Sequence, residues 1–161
     1  MLKLTLLEVF LRVLPEEFLV IFAVYAFSKT VINLKKYIIS SILYVTAVYI
    51  IRLLPVQYGV HTILNIIVII VLTTNINKIA IIKAIQASIM AVILLFICEG
   101  INMIIIQDIL KVNVINILSN TSLKIVYGIP SLVIYAATVF TYYFYLARSK
   151  KLSEVINGKN I

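Results

Sequence analysis

The stretch "IIRLLPVQYGVHTILNIIVIIVLT", residues 50–73, joins the end of one long apolar run to the start of another. A proline, a glycine and the chain's one histidine interrupt the hydrophobic pattern between them. Proline and glycine are typical of turns, and apolar runs of about 20 residues are long enough to cross the hydrocarbon core of a bilayer. The stretch therefore predicts a tight hairpin between two membrane-spanning helices.

The composition of the whole chain is that of a membrane protein. Of its 161 residues, 63% are hydrophobic and 12% are charged, whereas soluble domains average about 45–50% apolar and about 25% charged residues. At roughly 20 residues per span, the chain has room for about four to six spans and excludes a separate soluble catalytic domain. We therefore predict an all-α, polytopic integral membrane helix bundle in the cell membrane, with the lipid bilayer as its first partner.

Hydropathy divides residues 15–148 into five predicted transmembrane helices. The first begins at Pro15, because a proline in the first helical turn, followed by acidic residues, suits a helix start. Spans two to five are predicted at residues 37–54, 61–74, 79–98 and 126–147. The segment after span four, residues 99–110, is more polar, and we expect it to lie at the membrane interface.

The N-terminal segment, residues 1–14, is predicted to form an amphipathic helix on the membrane surface. Three polar residues share one face of that helix among leucine, valine and phenylalanine, namely Thr5, Glu8 and Arg12. Such a helix can lie in the interface with its apolar side in the lipid. The alternative is one long span over residues 4–27 with a kink at Pro15. The segment lacks a small-residue cleavage pattern, so we do not expect it to be removed as a signal peptide.

Five spans divide the basic residues unequally between two faces. One face carries Lys29, Lys35, Lys36, Lys78, Lys83, Arg148, Lys150, Lys151 and Lys159, and the other carries Lys3, Arg12, Arg52, Lys111 and Lys124. Cytoplasmic loops are enriched in lysine and arginine, so the first face is predicted to be cytoplasmic. The N-terminus would then lie outside, and residues 149–161 would form a short cytoplasmic tail. The net charge of +8 thus reflects topology and attraction to anionic lipid, and nucleic acid is not expected as a partner.

Seven polar residues are predicted to gather near the outer surface. They are Glu16, Arg52, Tyr58, His61, Asn65, Glu99 and Asn102. Ionisable groups at membrane depth normally face the bundle interior and pair, because lipid offers no hydrogen-bond partners. We interpret the group as a pocket for a small molecule or peptide, in which Arg52 and His61 supply donors and Glu99 the counter-charge. The alternative is interfacial anchoring with one structural ion pair.

No catalytic residue, cofactor or metal site is expected. A single cysteine excludes an internal disulfide, a zinc knuckle and a dithiol redox pair. His61 and Cys98 both lie toward the predicted outer face, which leaves an intramembrane cysteine peptidase as an alternative. The negative charge of Glu99 beside Cys98 disfavours the thiolate that such an enzyme needs. We therefore predict a protein that is not an enzyme.

Four segments together carry a resemblance to a known family: "LPEEFLVIFAVYAFSK", "IIRLLPVQYGVHTILNIIVIIVLT", "NKIAIIKAI" and "FICEGIN". They resemble the polytopic N-terminal sensor region of clostridial peptide-sensing histidine kinases of the accessory-gene-regulator type, over residues 8–148. The resemblance implies a bacterial, outward-facing membrane module that binds a peptide signal and passes a conformational change to a cytoplasmic kinase. The chain departs from that family after Arg148, where no phosphoacceptor histidine, dimerisation helix or ATP lid follows.

The function expected from these features is that of a non-enzymatic, sensor-like membrane module. It would bind a small ligand or peptide at its outer face, and spans four and five would relay the change inward. The module would either belong to a kinase or act through a membrane or cytoplasmic protein partner. Two alternatives stay open: a solute-binding membrane component of a transporter, and an envelope immunity or assembly protein that acts by helix contact.

Overall fold

The computed structural model describes residues 9–54, 58–109, 121–153, 155–156 and 159–160. Within these residues the chain forms five α-helices: α1 Leu14–Phe27, α2 Leu34–Leu53, α3 Tyr58–Asn75, α4 Ile81–Ile104 and α5 Thr121–Arg148. π-Helical turns at Val9–Val13 and Ile105–Ile109 extend α1 and α4. A short antiparallel pair, β1 Val155–Ile156 with β2 Lys159–Asn160, places Val155 opposite Asn160. The predicted all-α class is confirmed.

Helix α1 lies at the centre of the bundle, where it contacts α2, α4 and α5. Every residue from Val20 to Ala26 is buried, as expected of a helix that is apolar on all sides. Protein, rather than lipid, therefore surrounds most of α1.

Three helical segments in the described part of the chain are long and apolar enough to cross a membrane, namely Leu34–Leu53, Ile81–Asp108 and Ile125–Arg148. Gly59–Asn75 is a shorter apolar helix. Isoleucine, leucine and phenylalanine side chains are exposed along the outward faces of these helices. Contiguous apolar surface of this kind is rare on water-soluble monomers. The fold therefore supports a membrane location, while the number of spans stays a prediction.

The segment predicted as an interfacial tail, residues 99–110, continues α4 instead of following it. The helix runs without a break to Ile104, and the π-helical turn follows it directly. Gly100 lies on an exposed face of the helix, where it costs about 1 kcal/mol relative to alanine. Asn102 is buried and has a protein partner in α5, so packing against α5 favours continuation of the helix.

The described part of the N-terminal segment, Val9–Val13, runs directly into α1. Val13 has helical backbone angles, φ −64° and ψ −46°. Pro15 lies in the first turn of α1, where its missing N–H removes no intrahelical hydrogen bond. This continuity matches the long-span alternative for residues 9–27. Residues 1–8 lie outside the described residues, and their position relative to the membrane stays a prediction.

The helices run alternately up and down, which gives the bundle two chemically different ends. At the first, which we call the basic end, α1, α3 and α5 finish and α2 and α4 begin. It carries Lys29, Lys35, Lys36, Lys78, Lys83, Arg148, Lys150 and Lys151. The opposite end, which we call the carboxylate end, carries Glu16, Glu17, Glu99 and Asp108. Which end faces the cytoplasm stays a prediction.

Backbone hydrogen bonds close the basic end. The N–H of Val31 donates to the carbonyl of Ser153 over 3.1 Å, and the N–H of Ser153 donates to the carbonyl of Lys29 over 2.8 Å. The hydroxyl of Tyr143 accepts from the N–H of Ile32 over 3.3 Å. The chain just after α5 therefore lies against the loop between α1 and α2.

A lysine with a left-handed backbone conformation follows each of the three helices that end at the basic end. They are Lys29, Lys78 and Lys150, with φ of 56°, 60° and 53°. After α1, the N–H of Lys29 donates to Ala26 and that of Thr30 donates to Tyr25, the pattern of a Schellman motif. Glycine usually occupies this position, because a side chain there costs about 1–2 kcal/mol. A positive charge at a helix C-terminus offsets about 0.3–1 kcal/mol of that cost.

Candidate functional site

One guanidinium group joins two glutamates at the carboxylate end. Nη2 of Arg12 donates to Oε1 of Glu99 over 3.2 Å, and Nε of Arg12 lies 3.8 Å from Oε2 of Glu16. The side chains of Arg12, Glu16 and Glu99 are 22%, 10% and 34% exposed. Glu16 lies one helical turn after Arg12, whereas Glu99 belongs to α4. The ion pairs therefore connect the start of α1 to the far end of α4.

The same guanidinium packs against the backbone of α5 at Gly128. A Cβ atom at that position would lie 3.2 Å from Cζ of Arg12, which is closer than ordinary van der Waals contact. The absence of a side chain at Gly128 thus leaves the space that Arg12 occupies. Close by, Nδ2 of Asn102 donates to the carbonyl of Tyr127 over 2.7 Å. Both contacts hold α5 against the ion-paired helices.

Glu17 is the more deeply buried of the two acids in the first turn of α1, with 3% of its surface exposed. The hydroxyl of Tyr44 on α2 donates a hydrogen bond to its carboxylate. Arg52, in the last turn of α2, is close enough to attract the carboxylate of Glu17 electrostatically. A buried carboxylate without such partners would be strongly unfavourable. Tyr44 and Arg52 therefore offset only part of the unfavourable effect of burial and of the neighbouring Glu16 on this acid.

Glu99, predicted as the counter-charge to Arg52 and His61 in a pocket, has an ion-pair partner that the sequence did not predict. The partner of Glu99 is Arg12, and Arg52 instead acts on Glu17. The reason is that the Val9–Val13 turn continues α1 and brings Arg12 to α4. Sequence reasoning assigned Arg12 to a surface helix and so omitted it from the site. Its spacing of four residues from Glu16 was the signal for a pair on one helical face.

Three of the predicted site residues, Tyr58, His61 and Asn65, lie on α3. Nδ1 of His61 and Oδ1 of Asn65 are buried atoms without a hydrogen-bond partner. They lie one turn apart, on the half of α3 toward the carboxylate end. Tyr58 belongs to α3, but its side chain lies outside the described residues. Of the seven predicted residues, Glu16, Glu99 and Asn102 share the contacts with Arg12 and α5.

A shallow groove of about 570 Å³ lies on the opposite half of α5. Its lining consists of Ala137, Thr138, Thr141, Tyr142 and Tyr145. The threonine hydroxyls donate to carbonyls of their own helix over 2.7–2.8 Å. The groove therefore offers mainly carbon atoms, and it lies toward the basic end, away from the predicted site.

In the part of the chain that the structure describes, no three histidine, cysteine, aspartate or glutamate side chains are grouped to hold a metal ion. Cys98 is a free thiol with 2% of its surface exposed. Whether the protein catalyses a reaction stays untested.

Comparison of the chain with protein-family models, curated proteins and solved structures finds no match. The resemblance to the sensor region of peptide-sensing kinases therefore stays a prediction.

Proposed function

We propose that the chain is a non-enzymatic membrane sensor module that binds a ligand at its carboxylate end. The observation that carries this proposal is the network of Arg12, Glu16 and Glu99 beside the buried Glu17. Ionisable groups at membrane depth are costly and usually functional. The side chains of Arg12 and Glu99 remain 22% and 34% exposed, so a ligand can reach them from that end.

In this proposal all five helices cross the bilayer, with the carboxylate end outside and the basic end in the cytoplasm. The excess of lysine and arginine at the basic end supports that orientation. A charged group on a small molecule or peptide would compete for Arg12 or Glu99. Because those residues contact α4 and α5, the competition would alter both helices. Tyr143 and Ser153 connect the other end of α5 to the loop between α1 and α2, where a protein partner would read the change.

Ligand-dependent stability tests the binding site. Purified protein would be heated with a panel of short linear and cyclic peptides and amino acids. A ligand at one hundred times its dissociation constant adds about 2.7 kcal/mol to the free energy of unfolding. Glu99→Gln should remove the stabilisation, whereas Asp108→Asn, an exposed acid farther along the same helical segment, should keep it.

Stabilisation that survives Glu99→Gln would contradict the proposed site. Uptake of a stabilising compound into vesicles that contain the protein would instead assign the transporter alternative. A complete panel without effect would favour the envelope immunity or assembly alternative.

Thiol labelling of intact cells tests the orientation. In a Cys98→Ala background, Lys35→Cys places a thiol at the basic end and Asp108→Cys places one at the carboxylate end. Both side chains are exposed. A membrane-impermeant maleimide should label Asp108→Cys before lysis and Lys35→Cys only after lysis. The reverse pattern would overturn the orientation.

A further inference from the structure

We propose that Arg12 and Gly128 form a latch that holds the carboxylate-end part of α5 in place, and that α5 bends at Gly128–Pro130 when the latch opens. The inference goes beyond the proposed function and does not depend on it. It concerns the contacts that fix α5 against its neighbouring helices, with or without a ligand or partner.

The backbone hydrogen bonding of α5 is weakened where Arg12 packs against it. Pro130 has no N–H, so the carbonyl of Val126 loses its intrahelical hydrogen bond. Gly128 is a weaker helix former than alanine and lowers local helix stability. The hydroxyl of the buried Ser131 donates to the carbonyl of Gly128 over 2.7 Å. Prolines and glycine–serine pairs are common causes of helix kinks, so this turn is the expected hinge.

Two side chains from other helices hold that hinge. The guanidinium of Arg12 fills the space left by Gly128 and is anchored to Glu99 and Glu16. Nδ2 of Asn102 binds the carbonyl of Tyr127. Removal of the guanidinium would take away one of these two polar contacts at the hinge.

The two halves of α5 are held with different strength. Partly exposed ion pairs contribute little to stability, so the Arg12 contacts can open. Toward the basic end, Phe22 of α1 packs on the rings of Phe140 and Tyr143, with centroids 4.6 and 5.2 Å apart. Those rings and the backbone bonds of Ser153 fix that half. Bending is therefore confined to the segment before Gly128.

Spin-label distances in lipid nanodiscs test the latch. In a Cys98→Ala background, labels at exposed positions of α2 and α5 report on each end of the bundle. The carboxylate-end pair is Ile50→Cys with Val126→Cys, and the basic-end pair is Ile38→Cys with Phe144→Cys. With Arg12→Ala, the distance distribution of the carboxylate-end pair should shift and broaden, and that of the basic-end pair should stay unchanged.

A glycine pair supplies a matched control. Gly128→Val places methyl groups in the space of the guanidinium and should reproduce the effect of Arg12→Ala. Gly100→Val adds the same atoms to α4 where a Cβ meets nothing within 4 Å, so both distances should stay unchanged. In the Arg12→Ala background, Gly128→Val should add no further shift.

Two results would overturn the latch. One is an unchanged carboxylate-end distance in both Arg12→Ala and Gly128→Val. The other is an equal change at both ends, which would indicate general loosening of the bundle. Neither result depends on whether a ligand binds, so failure of the latch and failure of the proposed function are distinguishable.

Discussion

The two ends of the bundle differ in the sign of their charged residues and in how deeply those residues are buried. At the basic end, lysines such as Lys35 and Lys150 are exposed, and backbone hydrogen bonds of Ser153 join the segments. At the carboxylate end, Glu16 and Glu17 are buried, and charged side chains join the helices. Within the described residues, the exposed lysine side chains make no contact between helices, whereas the buried Glu17 does. The burial of a charge, more than its sign or number, thus decides whether it joins helices.

The largest expected difference in the free energy of unfolding is between variants that remove one positively charged side chain from each end. Arg12→Ala leaves Glu16 and Glu99 without their shared partner, and we expect it to lower the free energy of unfolding by about 2–3 kcal/mol. Lys35→Ala removes an exposed charge and should change it by less than about 0.5 kcal/mol. Unfolding titrations in mixed micelles measure both. Equal effects would mean that the ion pairs do not hold the carboxylate end.

A smaller loss of stability is expected when the hydroxyl group of Tyr44, near Glu17, is removed. Tyr44→Phe removes the hydrogen bond to this buried carboxylate and should destabilise the protein by about 1–2 kcal/mol. Tyr49→Phe makes the same change at an exposed position of α2 and should be close to neutral. The same titrations compare the two variants. A neutral Tyr44→Phe would contradict a stabilising role for this hydrogen bond.

The smallest effect is expected at the basic end, and it has the opposite sign. Lys29→Gly relieves the left-handed backbone and should stabilise the protein by about 1 kcal/mol. Lys35→Gly removes the same charge in the first turn of α2, where glycine should cost up to about 1 kcal/mol. Thermal unfolding of both variants checks the sign. Destabilisation by both would mean that the lysine charge outweighs the backbone strain.

The sequence predicts the helices well because lipid-facing segments need long apolar runs. The runs around Tyr44 and Pro130 correspond to α2 and α5. Residues 55–57 of the predicted hairpin lie outside the described residues. The partner of Glu99 was not predictable in the same way. Arg12 lies 87 residues away in sequence, and local periodicity does not specify which helices become neighbours. A lone glycine such as Gly128 likewise gives no sign of the side chain that packs on it.

The central position of α1 has a consequence for biogenesis. In the chain it precedes Glu99 and Gly128, which contact Arg12 and are therefore translated later. The guanidinium of Arg12 lacks both contacts until α4 and α5 have been made. Full enclosure of α1 by its neighbours therefore comes only after the synthesis of α5.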